Sequence, residues 1–324
     1  MARRILVTGR GSIALRHVRH LRAFLPALEL AVVARGGTVD PAFGDCTRVT
    51  SFEDGLQWLP DAVIIASVSS RHADELEACL LQGLPCLAEK PLVIERKQLE
   101  RVRAASAVGA AVPTVVVGCN LRYLPALRRL AAELKDANLG AVARAHLEVG
   151  QDLAQWRPSR DLSGSYSANV ALGGGVVFDL VHEIDMARWL LGPLGVRAAL
   201  GAHIGALPIE TDDVHVALLE RSNGAPVIVS LDYVSQQAVR RYDVVCAGGT
   251  LTCDIRGGRL TRTGRDGCRT LTDLPSDFDV PQTYGAQMQD WLAALRDPAH
   301  AVASPLGDAL ETASLMLAMK EAAS

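Results

Sequence analysis

The opening of this chain constrains its fold more than any other stretch. Arg4-Ile-Leu-Val-Thr8 is a short apolar run that ends at Gly9-Arg-Gly11-Ser-Ile-Ala14, and Ile13, Val18, Leu21 and Leu25 then recur at helical spacing. Strand, glycine-rich turn and helix in that order form the context that a dinucleotide-binding fingerprint requires. Gly9 permits a tight turn, Gly11 lets the backbone approach a pyrophosphate, and Ala14 takes the third small position, where helix packs on strand. The phosphates sit at the helix start, where the N–H groups of Ser12 and Ile13 and the helix dipole favour anions. The competing reading of a lone GxGxxA is an ordinary strand-to-helix turn.

The alternation then continues. Leu28–Ala34 reads as a second strand, and at its end a fold that prefers NAD normally offers Asp or Glu to the ribose hydroxyls. This chain offers Arg35-Gly36-Gly37, with Arg16 as a second cation, so the expectation is NADP over NAD; otherwise Arg35 stacks on adenine or faces solvent. Ala62–Ser67 is a buried strand, followed by a Ser-rich turn with Arg71 and His72 and a helix over Ala73–Leu81. Leu84–Ala88 is another strand, ending in Glu89-Lys90-Pro91, whose X-Pro bond is a candidate for the cis form. A helix near Arg96–Val108 and a strand over Thr114–Gly118 complete a doubly wound unit. Such folds bind ligands at the carboxyl ends of their strands, where Ser67, His72 and Glu89-Lys90-Pro91 all lie. His72 equally suits a helix-start residue making local hydrogen bonds.

At 324 residues the chain suits two domains, and 49% apolar with 21% charged residues is the profile of a soluble globular protein. A formal net charge of -3 makes no case for nucleic acid or an anionic membrane. The seven cysteines are scattered, and no pair has CxxC spacing, so neither a metal site nor a disulfide framework is expected. No apolar run approaches the roughly 18 residues of a membrane span. A cytoplasmic protein is the expectation.

In the second half, Leu124–Leu134 is helical and Gly140–Gly150 alternates like a strand. Gln151–Asn169 has neither period but is rich in Trp, Arg, Ser and Tyr. Trp156, Arg157, Arg160 and Tyr166 there suit sugar hydroxyls, carboxylates or a diphosphate, or else pack the loop on itself or on another subunit. Gly173-Gly-Gly175 then leads into Asp179, His182 and Asp185 on a predicted amphipathic helix, with Asp179 and His182 sharing a face. Strand signals recur from Val196 to Thr263 without intervening helices, which indicates an antiparallel sheet. Two amphipathic helices, Tyr284–Leu295 and Pro305–Lys320, close the chain.

Four of these features, in this order, resemble the Gfo/Idh/MocA oxidoreductases, the glucose–fructose oxidoreductase and inositol dehydrogenase group. They are Gly9-Arg-Gly11-Ser-Ile-Ala14, Glu89-Lys90-Pro91, Asn120-Leu-Arg122-Tyr123 and the Gly173–Asp185 segment. The segment Trp156–Ala168 looks like a branch of that family found in bacterial surface-sugar pathways. The resemblance implies an α/β protein: an N-terminal Rossmann domain over 1–119, and a C-terminal α/β domain over 120–324 with a large, mostly antiparallel sheet, the last helix packing back on the first domain. It implies that Lys90 lies beside the nicotinamide and the reacting hydroxyl, that His182 is the acid–base residue, and that the C-terminal sheet builds a homodimer or homotetramer. The family places its Asp four residues before that His; here Phe178 is there and Asp179 is three before. Asp179 therefore orients His182, touches substrate or caps the helix.

The resulting expectation is reversible hydride transfer between NADP or NAD and a secondary hydroxyl of a sugar, nucleotide-sugar or cyclitol. Lys90, His182 and Asp179 carry the chemistry. Gly9, Gly11, Ser12, Ile13, Arg16, Arg35, Ser67, His72, Glu89 and Lys90 hold the cofactor. Arg122, Trp156, Arg157, Arg160 and Tyr166 join the first three on the substrate. Two other classes stay open: NAD-dependent glycoside cleavage by transient oxidation, and a non-catalytic nucleotide-sensing partner.

Overall fold

The computed structural model describes residues 3–34, 36, 39–108, 112–156, 166–205 and 207–323. The chain divides into two compact units, one formed by 1–120 and 281–313, the other by 121–280 and 314–324.

The first unit alternates strand and helix: β1 (Arg4–Thr8), α1 (Ser12–Phe24), β2 (Glu29–Val33), β3 (Thr47–Val49), α2 (Phe52–Gln57), β4 (Ala62–Ile65), α3 (Ser69–Leu81), β5 (Cys86–Ala88), α4 (Arg96–Ser106) and β6 (Val115–Val117). All the pairings are parallel, in the order β3-β2-β1-β4-β5-β6. A parallel sheet with helical crossovers is covered on both faces, so its strands are apolar throughout instead of alternating. Ile5, Leu6 and Val7 and all of β4 are accordingly buried. The order reverses between β1 and β4, which puts the switch point of the sheet beside Gly9.

The second unit contains α5 (Pro125–Glu133), β7 (Val142–Gly150), α6 (Leu153–Trp156), α7 (Val176–Asp179) and α8 (Val181–Leu191). There follow β8 (Leu194–Ala202), β9 (Val214–Arg221), β10 (Pro226–Asp232), β11 (Val239–Cys246), β12 (Gly249–Asp254), β13 (Arg259–Gly264) and β14 (Gly267–Thr272). The eight strands run β14-β13-β12-β11-β7-β10-β9-β8, antiparallel except where β7 and β10 pair in parallel. Along β9 the residues alternate: His215, Ala217 and Leu219 are buried, while Val216 and Leu218 are 40% and 41% exposed. Register places Leu200 opposite Val216 and Ile228 opposite Leu218, so one face of the sheet shows solvent an apolar stripe.

The chain ends in α9 (Val280–Arg296) and α10 (Leu306–Ala322). Met288 and Trp291 of α9 join Ile5, Val7, Val18, Leu21 and Val116 in the core of the first unit. No helix among the described residues is long and apolar enough to cross a membrane.

Candidate active site

In the first unit, the two glycines of the opening turn have different physical jobs. Gly9 has φ +87, and a Cβ there would lie 2.4 Å from the Ala66 carbonyl oxygen, so only glycine fits between β1 and β4. Gly11 has an ordinary φ of -79, and a Cβ there would meet no atom within 4 Å. It N-caps α1 without a side-chain hydrogen bond, and the first turn of α1 carries no acidic residue. Open space, exposed Ser12, the half-buried Ile13 and the positive end of a helix of 13 residues make a cradle suited to the pyrophosphate of a nicotinamide dinucleotide.

Beneath this turn lies a buried polar network that no sequence period signals. The hydroxyls of Thr8 and Ser67 both donate to Oε2 of buried Glu75, at 2.7 and 2.9 Å. Across the sheet, Glu89 is buried; its Oε1 lies 2.7 Å from Nε2 of the fully buried His17, and its Oε2 accepts from the Lys90 N–H at 3.3 Å. Burial pushes the Glu89 carboxyl up, but its bond to His17 and the charges of His17, Lys90 and His72 outweigh that and hold it below the ordinary glutamate range. A Cβ on Gly118 would lie 2.7 Å from Glu89 Oε2, so the absence of a side chain there lets the carboxylate tuck against β6.

Glu89 is buried next to Lys90. His72 is buried, with Nδ1 2.8 Å from the Pro91 carbonyl and Nε2 3.0 Å from that of Ser67. It clamps the end of β4 to the loop after Lys90, the local reading of that histidine. Lys90 is half-buried, and its peptide bond to Pro91 is cis. Arg16 is exposed, and its guanidinium lies 4.4 Å from the centre of the Tyr284 ring of α9, a cation–π contact. Arg35 lies outside the described residues.

In the second unit, the glycine run is filled by the chain itself. Gly173 is left-handed (φ 83, ψ 31) and Gly175 has φ +123. A Cβ on Gly174 would lie 2.3 Å from the Tyr166 carbonyl oxygen, and one on Gly175 would lie 2.5 Å from Asp212 Oδ1. The Tyr166 hydroxyl donates to the Gly173 carbonyl at 3.0 Å, so Tyr166 braces this turn.

The single helix predicted from Gly175 onward is two. Asp179 ends α7, and Leu180 (φ -98, ψ 26) breaks the path before α8 begins at Val181. Asp179 is buried; its Oδ2 accepts from the Ser167 hydroxyl at 2.5 Å and from the Tyr233 hydroxyl at 2.7 Å. Burial and this carboxylate push the Tyr233 phenol well above its ordinary value, so the phenol remains a proton donor to Asp179. The expected shared helical face of Asp179 and His182 is thereby corrected: the aspartate ties its short helix to 167 and to Tyr233, just after β10.

His182 sits half-buried in the first turn of α8, followed by two acidic side chains that are fixed elsewhere. Glu183 is fully buried and accepts from Arg240 Nε and Nη2 (2.6 and 3.1 Å) and from the Tyr242 hydroxyl (2.9 Å), both on β11. Asp185 is fully buried and takes a two-pronged bond from Arg122, Nε at 2.9 Å and Nη2 at 2.7 Å. The Arg122 side chain is 1% exposed, and its pair with Asp185 anchors α8. Removing one partner of such a buried pair costs about 3–5 kcal/mol. Trp156 is 42% exposed at the end of α6; Arg157 and Arg160 lie outside the described residues. Among the described residues, no three His, Cys, Asp or Glu side chains are grouped to hold a metal ion.

Known proteins resemble this chain along most of its length. The family model described as "Oxidoreductase family, NAD-binding Rossmann fold" matches residues 3–115, and the "GFO/IDH/MocA C-terminal domain" matches 127–252. The chain belongs to the Gfo/Idh/MocA family. Inositol 2-dehydrogenase 2 of Saccharopolyspora erythraea is 29% identical over 309 residues, covering 91% of this chain and 85% of that protein. A levoglucosan dehydrogenase in complex with NADH and levoglucosan superposes with a TM-score of 0.84 at 18% identity, covering 99% of this chain and 96% of its own. A myo-inositol dehydrogenase from Corynebacterium glutamicum gives 0.74 at 19%, covering 100% and 97%. The last two likenesses show the fold. The protein is an NAD(P)-binding oxidoreductase of this family.

Proposed function

We propose that this protein is a dehydrogenase of secondary hydroxyls on a sugar, nucleotide-sugar or cyclitol. The observation that carries this reading is the open, uncapped and acid-free start of α1 at Gly11, an anion cradle at the switch point of the first sheet. A bound nicotinamide dinucleotide supplies the hydride acceptor. Oxidation also requires loss of the hydroxyl proton, and the imidazole of His182 is suited to take it near neutral pH. The Lys90 ammonium donates to the reacting oxygen and stabilises the charge that develops there. The segment around Trp156, Arg157 and Arg160 binds the substrate hydroxyls. NADP is preferred, because no carboxylate occurs in 33–39 and Asp40, the first after β2, accepts from the Ala42 N–H at 2.8 Å. A second copy of the chain covers the apolar stripe of the second sheet in a homo-oligomer.

The test is cofactor reduction over a panel of sugars and cyclitols with the purified protein, with bound and free NAD and NADP measured separately. A substrate-dependent rise in reduced cofactor, lost in His182→Ala and Lys90→Ala, supports the reading. Release of free sugar from a glycoside with no net reduction would replace it with glycoside cleavage. Dinucleotide binding without turnover on any substrate would favour a sensing role.

A further inference from the structure

We propose that His17 is a positioning residue for Lys90, acting through the Glu89 carboxylate; this rests on the role given to Lys90 above and deepens it. His17 lies on the buried face of α1 with Ala14, Val18 and Leu21, and its side chain is fully buried. A buried polar ring costs free energy unless it is hydrogen-bonded. Its Nδ1 has no hydrogen-bond partner among the described residues, and the ring makes a T-shaped contact with Tyr284, centroids 6.3 Å apart. The polar anchor of the imidazole is therefore Glu89, whose Oε1 lies 2.7 Å from Nε2. A leucine would fill this place in the core without that cost, so the histidine serves the carboxylate. Glu89 is held on three further sides: its N–H donates to the Ile65 carbonyl of β4 at 2.8 Å, Gly118 backs its carboxylate, and Oε2 accepts the Lys90 N–H at 3.3 Å. One oxygen thus holds the helix whose start cradles the dinucleotide, and the other holds the backbone of the lysine. Together the two side chains form a strut from α1 to Lys90. A reacting group displaced by about 1 Å loses on the order of 10²-fold in rate, so a lysine that must meet one hydroxyl oxygen needs such a support.

The experiment is competitive trace acetylation of the full chain, read by mass spectrometry as the labelling of Lys90 relative to Lys97, Lys135 and Lys320, the other lysines of the sequence. Wild type is compared with His17→Leu, His17→Gln, Glu89→Gln and the His17→Leu/Glu89→Gln double variant, and NADP and NAD binding are titrated by calorimetry alongside. Loss of the bond to Glu89 lets the Lys90 segment open more often, so His17→Leu should raise the relative labelling by about 3–10-fold, the net worth of one hydrogen bond. A merely structural role would move all the lysines together and leave this ratio alone. His17→Gln, whose amide nitrogen can stand where Nε2 does, should restore most of the wild-type ratio. Because His17 acts through Glu89, the double variant should label like Glu89→Gln alone, a comparison that stands even if His17→Leu by itself does not fold. An unchanged ratio in His17→Leu, or effects that add in the double variant, would overturn the assignment while leaving the cofactor reading intact. Wild type that binds neither NADP nor NAD would remove the cofactor reading, and this role of His17 with it, whatever the labelling shows.

Discussion

Two glycine-rich turns stand before two helices in this molecule, and they do opposite things. At Gly9–Gly11 the second glycine leaves a space that no protein atom fills, in front of the N-terminus of α1. At Gly173–Gly175 the space is taken by the Tyr166 and Ser167 backbone and by Asp212. The first turn is open at its second glycine; the second is packed by the protein itself. A glycine's missing side chain thus has two meanings, and only the neighbours of the absent Cβ tell them apart.

The largest effect that sharpens this contrast comes from the helix that follows the filled turn. His182→Ala should lower turnover by about 10²–10⁴-fold, the usual contribution of general acid–base catalysis. Thermal unfolding should move little, because Arg122, Arg240 and Tyr242 still hold α8. Near-normal turnover would deny chemistry to this region and leave the filled turn a purely structural element. Gly174→Ala should cost about 1–3 kcal/mol of stability through overpacking against the Tyr166 carbonyl, read from denaturant unfolding. A neutral result would mean that the close approach is relaxed in solution.

Gly11→Ala is the mirror case. Its unfolding free energy should stay within about 0.5 kcal/mol of wild type, while dinucleotide affinity should fall by about tenfold or more as the methyl enters the phosphate space. Loss of stability with affinity intact would exchange the roles of the two turns. The smallest effect concerns the carboxylate beside Lys90. The Glu89 pKa is depressed in the folded state, so its contribution is fully present above the unfolded glutamate value of about 4.3 and is lost as pH falls through the lower folded value. Comparing wild type with Glu89→Gln by urea unfolding between neutral and acidic pH should show the difference narrowing at the acid end. A difference that widens there would reverse the assignment.

How much of this was legible in the sequence follows from how far each interaction reaches along the chain. Strand, turn and helix around Gly9 span a dozen residues, so their pattern is visible in one stretch. The parallel sheet and most of the larger sheet were legible for the same reason. β14 was not, because most of its residues are exposed and it lacks a buried alternate face. β3 is three residues at a sheet edge, two of them exposed. The break at Leu180 was hidden because Val, Leu and Ile keep the helical period through it. Asp179 bonds to Ser167 and to Tyr233, which is 54 residues away. The His17–Glu89 contact joins residues 72 apart and has no local signal at all. For the same reason the Arg122–Asp185 pair had no local signal, since its partners lie 63 residues apart.

The anchoring of α8 has a consequence for how such a protein can change. Glu183 and Asp185 bolt the helix to β11 and to Arg122, and neither bolt passes through the imidazole of His182. The anchors of α8 and the imidazole of His182 are thus carried by separate residues of one helix. A substitution at position 182 leaves both of these anchors of α8 in place.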